Sequence, residues 1–380
     1  MAPRDDHAPE LQQLRQQLDH LDRKLLETVA ERLNVVARIG ALKAGVDRPV
    51  FDREREQKVF ERARDNAAAV GVDPALAEGL MGQLVNASHA TQAAVSRERM
   101  HAENSHRFLI VGGGGLMGAR LGRALRGRGH RVDILERDDG QDRAHVVSQA
   151  EIVMLSVPMA HAVDVALELG PHVAEGALLC DINSLKADIC AAMGASFAGE
   201  VLGLHPMFGP TVHALTRQKV VTCAVRPGPL GAWLVKELGA MGLEAVASTP
   251  AEHDKMMAIV QVLTHFSTLV MGEALRRTGV PVERSLAFTS PIYRLELAFV
   301  GRLYAQDPDL YAAIEMTNPA GAEMRDHFKA ATAAVADLIS RGDRDAFRQM
   351  FEGVGAYFGD FDNEAMRLSD LIIDTLVARP

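Results

Sequence analysis

Near the start of the chain, apolar residues fall at 11, 14, 18, 21, 25, 29, 36 and 39, close to the i, i+3, i+4, i+7 spacing of an amphipathic helix. From Leu11 onward no glycine interrupts this stripe before Gly40, and no proline before Pro49. A helix over about 9–43 would be roughly 50 Å long at 1.5 Å per residue. That is more than a small domain can cover alone, so a second chain is expected over it. Helical stretches at about 52–66 and 74–95 follow, making 1–95 an all-helical module. The polar run 96–106 has no apolar face and reads as a linker or a frayed helix end.

The period then changes. Phe108–Val111 and Val132–Leu135 are short buried-strand patterns on either side of a glycine turn and a helix, a βαβ unit. Residues 152–157 and 177–181 supply further buried strands with helical stretches between, so 107–249 reads as a Rossmann-type α/β domain. From about Thr249 the pattern turns to long apolar-periodic helices, giving an all-helical 250–380. The fold class is therefore multidomain: all-α, then α/β, then all-α.

Composition narrows the function. A net charge of −9 and a pI near 5.9 exclude the basic balance of a nucleic-acid binder. The polar N-terminus lacks the apolar core of a signal peptide, and no apolar run is expected to reach membrane-spanning length. A cytoplasmic protein is expected. Cys180, Cys190 and Cys223 are odd in number and lack metal-ligand spacing, so reduced structural thiols are expected, with no metal site.

Gly113-x-Gly115-x-x-Gly118 satisfies the dinucleotide fingerprint, and it follows a strand and opens a helix. Its glycines let backbone amides of the turn, including Leu116 and Met117, approach a pyrophosphate at a helix N-terminus. Glu136 ends the second strand, eighteen residues past Gly118, where it can accept from ribose hydroxyls and favour NAD. Arg137 beside it leaves NADP open. Ser156, at the end of the third strand, joins the expected cofactor set.

Leu202-Gly-Leu-His-Pro-Met-Phe-Gly-Pro210 delivers His205 to a rigid loop. Ser184 and Lys186 follow another strand end, where ligands of such sheets bind. Gln261 and His265 are four apart on one helix face. Arg294 and Arg302 sit in an apolar stretch, which suggests buried carboxylate binding or, equally open, ion pairs with Glu296 or Glu315. In the first module Arg32 and Lys43, eleven apart, share a helix face; Arg15 could reach a partner's site. Arg55 and Glu56 open the second helix, and Ser88 and Gln92 form an i, i+4 pair on the third. A solvated charged face is the other reading of these cations.

Taken together, Val111-Gly-Gly-Gly-Gly-x-Met-Gly118, Leu202–Pro210 and Ser290-Pro-Ile-Tyr-Arg-Leu-Glu-Leu-Ala298, continuing through Gly301-Arg-Leu to Ala305-Gln-Asp-Pro308, resemble the bifunctional chorismate mutase/prephenate dehydrogenases over nearly the whole chain. The resemblance implies that Arg15 of a partner chain, Arg32 and Arg55 hold the carboxylates of chorismate. Lys43 and Gln92 would meet its ether oxygen, and Asp52, Glu56 and Ser88 its hydroxyl and carboxylate groups. It further implies that His205 accepts a hydrogen bond from the prephenate hydroxyl while hydride leaves for NAD. Arg302 would bind a substrate carboxylate, supported by Arg294, Ser184, Lys186, Gln261 and His265. A homodimer is implied, as is inhibition by L-tyrosine, with Tyr311 in the segment of interest. Two alternatives stay open: a first module serving only dimerisation and regulation, and arogenate as the oxidised substrate.

Overall fold

The structure, a computed structural model, describes residues 8–43, 53–99, 105–212 and 214–377. Of the expected site residues, Asp52 and the Lys43 side chain lie outside this description.

Three helices, Ala8–Lys43, Arg53–Val70 and Pro74–Arg99, form the first module. The third continues to Arg99, into the polar run from Ser96. The first and third helices approach closely at Gly40, where an added Cβ would stand 3.1 Å from the Cα of Gln92. Along the first helix Leu11, Leu14, Leu18, Leu21 and Leu25 are all exposed. A continuous exposed apolar stripe of this kind is a surface for another chain.

A seven-stranded sheet follows, with β1 Arg107–Val111, β2 Arg131–Leu135, β3 Ile152–Leu155, β4 Leu178–Asp181, β5 Glu200–Pro206, β6 Lys219–Arg226 and β7 Glu244–Ala247 in the order β2-β1-β3-β4-β5-β6-β7. Every neighbouring pair is parallel except β5 with β6. The inner strands are buried on both faces, so alternate residues feed different cores. Leu109, Val111, Val153, Leu155 and Leu179 pack with helices Met159–Leu169 and Ala187–Ser196; Phe108, Ile110, Ile152, Met154, Leu178 and Cys180 pack with Leu116–Gly127 and Pro229–Ala240. Strands β6 and β7 were not foreseen in the sequence. Cys180, Cys190 and Cys223 are buried free thiols; burial raises the last two to about 12 and about 11.

Helices fill the remainder, beginning at Pro250, where the Thr249 side chain caps the Glu252 amide. The run Pro250–Arg277 is long and apolar enough to cross a membrane by length and composition, and 11% of its apolar 18-residue window is buried in the single chain. Its apolar faces pack on helices Gly321–Arg341, Pro291–Tyr304 and Pro308–Thr317. It also carries a π-helical segment, Ala258–Leu263, between two α-helical parts, a feature frequent at functional sites.

Candidate active sites

The glycine turn has the geometry of a cradle. Gly112 adopts φ +75, and a Cβ there would lie 2.7 Å from the carbonyl oxygen of Ser156. A Cβ on Gly118 would meet Ser156 Oγ at 2.7 Å and Gly113 Cα at 2.9 Å. Gly115 caps the following helix without a side-chain acceptor, so the first amides of that helix, Leu116 and Met117 among them, face an anion's natural position. Glu136 folds against the turn and accepts from the Gly114 amide at 2.6 Å. The acid at the end of β2 thus stands beside the turn, where a ribose would lie.

At the carboxyl ends of β4 and β5 a buried polar chain emerges. His205, 3% exposed, is the penultimate residue of β5. Its Nδ1 is 2.8 Å from Nε2 of His253, and His253 Nδ1 is 2.7 Å from Oδ1 of Asp254. Asp254 accepts the amides of Lys186 and Ala187, each at 2.8 Å, and its backbone oxygen accepts from Asn318 at 2.9 Å. Burial pushes the Asp254 carboxyl upward, but the His253 bond and the two amides outweigh it and hold the acid below its ordinary range. An ionised carboxylate only accepts, so His253 Nδ1 carries a proton. In the neutral pair its Nε2 is then an acceptor, and His205 Nδ1 must donate. The lone pair of His205 is left on Nε2, which lies 3.4 Å from Gln261 Nε2. Burial first, then the charges of Lys186 and His253, hold the His205 imidazolium well below its usual pKa.

Lys186 needs correction. It was expected to face substrate, yet its side chain is fully buried and its Nζ is hydrogen-bonded to Asp181, also fully buried. A carboxylate taken out of water requires a cation, and Lys186 supplies it beneath the site. Ser184 is half-buried in the loop after β4. Gln261 belongs to the π-helical segment and reaches His205, whereas the His265 ring packs edge-on against Tyr311 at 5.0 Å. Arg294 and Arg302 are exposed in the single chain, contrary to the expected burial; Arg302 donates to Thr211 Oγ1 at 3.3 Å, in the loop that leaves His205.

In the helical module Arg32 Nη1 donates to Ser88 Oγ at 2.6 Å and to the Leu84 carbonyl at 3.1 Å, and burial lowers its pKa. Ser88, Gln92 and Glu56 are buried, and Glu56 Oε1 lies 2.9 Å from His89 Nε2. Arg55 is exposed at the head of the second helix. Arg15, also exposed, lies about 26 Å along the helix from Arg32, too far to join the same cage. His253, Asp254 and His89 were missed. Ala251-Glu-His-Asp-Lys255 reads as an ordinary solvated first turn, and nothing local ties it to His205.

Residues 14–93 match the chorismate mutase type II family, 121–223 the nucleotide-binding domain of prephenate dehydrogenase, and 249–353 the prephenate dehydrogenase dimerization domain. The T-protein of Haemophilus influenzae is 33% identical over 94% of this chain and 95% of its own length. That of Enterobacter agglomerans is 36% identical over 92% and 94%. The Aquifex aeolicus structure titled prephenate dehydrogenase in complex with hydroxyphenyl propionate and NAD+ shares the fold, with a TM-score of 0.55 and 20% identity, over 67% of this chain and 98% of that one. With near full-length identity above 30% and both halves matched, the chain belongs to the T-proteins, the bifunctional chorismate mutase/prephenate dehydrogenases.

Proposed function

We propose that the chain isomerises chorismate to prephenate in its first helical module, and that its sheet and C-terminal helices oxidise and decarboxylate prephenate to 4-hydroxyphenylpyruvate with NAD. A mutase match over 14–93 and the grouping of Arg32 with Ser88 beside buried Glu56 and Gln92 disfavour a purely regulatory first module.

The rearrangement is pericyclic and needs neither acid nor base. It needs a compact substrate and stabilisation of charge developing on the ether oxygen. Arg32 and Arg55, with Arg15 of the partner, are assigned to the carboxylates. Lys43 and Gln92 are assigned to the ether oxygen, and Asp52, Glu56 and Ser88 to hydroxyl and carboxylate groups.

The glycine cradle fits a dinucleotide, because its close approaches leave no room for side chains. Gly113, Gly115, Leu116, Met117 and Gly118 would hold the pyrophosphate, Glu136 the ribose, and Ser156 the turn itself. NAD supplies the two-electron hydride acceptor when bound. His205 Nε2 accepts the proton of the prephenate ring hydroxyl as hydride leaves the carbon bearing it. The dienone so formed takes up the electron pair of the ring carboxylate, which departs as carbon dioxide. His205 then returns the proton to the phenolic oxygen. Arg302, with Arg294 and Ser184, is assigned to substrate carboxylates. Gln261 fixes the His205 ring and His265 lines the approach.

L-Tyrosine carries the same 4-hydroxyphenyl group as the product, which supports its role as a feedback inhibitor of this site, with Tyr311 against His265. The dimer and a reducing, cytoplasmic setting complete the reading, the latter supported by three buried free thiols.

The observation that carries the dehydrogenase assignment is the Asp254–His253–His205 chain, whose hydrogen-bond logic leaves Nε2 of His205 as the acceptor. Purified protein given chorismate, with and without NAD, should consume chorismate in both cases and form NADH only when NAD is present. NADH from added prephenate with no chorismate loss would refute the mutase half. Chorismate loss with no NADH from prephenate would refute the dehydrogenase half.

A further inference from the structure

The helical module and the sheet domain meet at an ion pair inside the mutase cage. Glu56 is only 8% exposed. While Oε1 faces His89 on the neighbouring helix, Oε2 lies 2.8 Å from Nη2 of Arg217. Arg217 belongs to the other half of the chain, in the loop between β5 and β6.

Its backbone is unusual. Arg217 adopts φ 64, the non-glycine residue with positive φ among the described residues, in a region that L side chains rarely occupy. Its amide donates to the Gly242 carbonyl at 2.8 Å. Gly242 is itself at φ +94, and a Cβ there would stand 3.1 Å from Thr216 Cα. Two close-packed turns therefore pin the loop and present the Arg217 side chain to the helical module. Backbone preference would favour glycine at 217, so it does not account for an arginine. The contact with a buried carboxylate does, because the Glu56 charge needs compensation from more than one side. The same loop starts two residues after His205 and carries Thr211, the acceptor of Arg302, so Arg217 stands only twelve residues along the chain from His205.

We propose that Arg217 is a positioning residue of the mutase site, supplied by the dehydrogenase half: it fixes the Glu56 carboxylate where that group can accept the hydroxyl hydrogen of chorismate. This rests on the assignment of Glu56 to the chorismate site made above. A fused chain then has a physical reason, since the mutase cage is held in shape by the neighbouring domain.

The test is Arg217→Gly, which removes the guanidinium while suiting the left-handed backbone. The KM for chorismate should rise about tenfold, the scale of one charge-assisted contact, with a smaller change in kcat. Turnover of prephenate and the thermal unfolding midpoint should stay near those of the parent. Arg217→Lys should recover part of the loss. In a Glu56→Gln background, Arg217→Gly should add little, because both changes act through one carboxylate. An unchanged KM in Arg217→Gly, alongside a raised KM in Glu56→Gln, would overturn the role of Arg217 alone. Full additivity of the two would overturn it as well. If Glu56→Gln leaves chorismate turnover intact, the assignment of Glu56 fails and the proposal fails with it.

Discussion

Nε2 of His253 lies 2.8 Å from Nδ1 of His205, and this contact determines which nitrogen of His205 is left with its lone pair. Asp254 fixes the proton on His253 Nδ1, His253 then accepts from His205, and the lone pair of His205 points outward. Asp254→Asn can donate where the carboxylate could only accept, which permits the reversed tautomer along the whole chain. Dehydrogenase kcat should fall by about 10²- to 10⁴-fold, the contribution of a correctly protonated general base. The KM for NAD and mutase turnover should hold. Steady-state assays with prephenate and with chorismate read both, and a dehydrogenase kcat within threefold of the parent would sink the tautomer argument.

The depressed pKa of His205 sets a pH dependence. In the proposed reaction only the neutral imidazole can accept the hydroxyl proton, so activity should be lost when His205 becomes charged. Because burial and the Lys186 charge hold that event well below the usual histidine value, kcat/KM for prephenate should stay level as pH falls through 6.5 and decline only in more acid solution. A decline centred on the ordinary histidine value would contradict the buried, charge-flanked setting. His205→Asn should abolish dehydrogenase activity and spare the mutase; equal loss of both would refute separate sites.

Much of this arrangement was legible in the chain. Strands flanking the glycine turn and the long helices at each end announced themselves by period, and the turn's cradle follows from where its glycines fall. β7 escaped notice because its four residues are exposed at the sheet edge, so no buried run marks it. β6 is buried along only part of its length and pairs antiparallel after a loop, which local pattern does not reveal. The histidine chain was illegible for a different reason: His205 and His253 are forty-eight residues apart, and only the docking of the Pro250 helix against β5 joins them. Lys186 was misplaced because sequence shows that a residue follows a strand but not which way it turns. The buried Asp181 decided that.

That buried pair yields a stability prediction. Lys186 and Asp181 are both fully enclosed, so removing one partner leaves an uncompensated charge in the core. Lys186→Met should destabilise the protein by about 3–5 kcal/mol, the usual cost of breaking a buried ion pair from one side. Asp181→Leu combined with Lys186→Met should recover much of that loss, since apolar residues of similar volume remove both charges together. Denaturant unfolding of the two variants distinguishes the cases, and a double variant no more stable than the single one would show that the pair does more than neutralise itself.

Glu315 supplies a pH-dependent term of opposite character. It is 8% exposed, and both its carboxyl oxygens lack hydrogen-bond partners among the described residues, while Arg325 donates to its backbone oxygen instead. Burial raises its pKa to about 7 from 4.5, with the Arg325 charge opposing only in part. The folded state therefore favours the protonated acid more than the unfolded state does. Its contribution to stability is complete below 4.5, declines as pH rises toward 7, and is absent above that. Glu315→Gln imitates the protonated form at every pH. Its thermal midpoint should match the parent at pH 4.5 and exceed it by a few degrees at pH 8, a difference that isolates this carboxyl from other titrating groups. The effect should be felt one helical turn away at Tyr311, whose ring packs on His265, so the parent should also lose affinity for prephenate between pH 6 and 8 more steeply than Glu315→Gln. Parallel pH curves for the two proteins would mean that the carboxyl is solvated in solution and carries no such term.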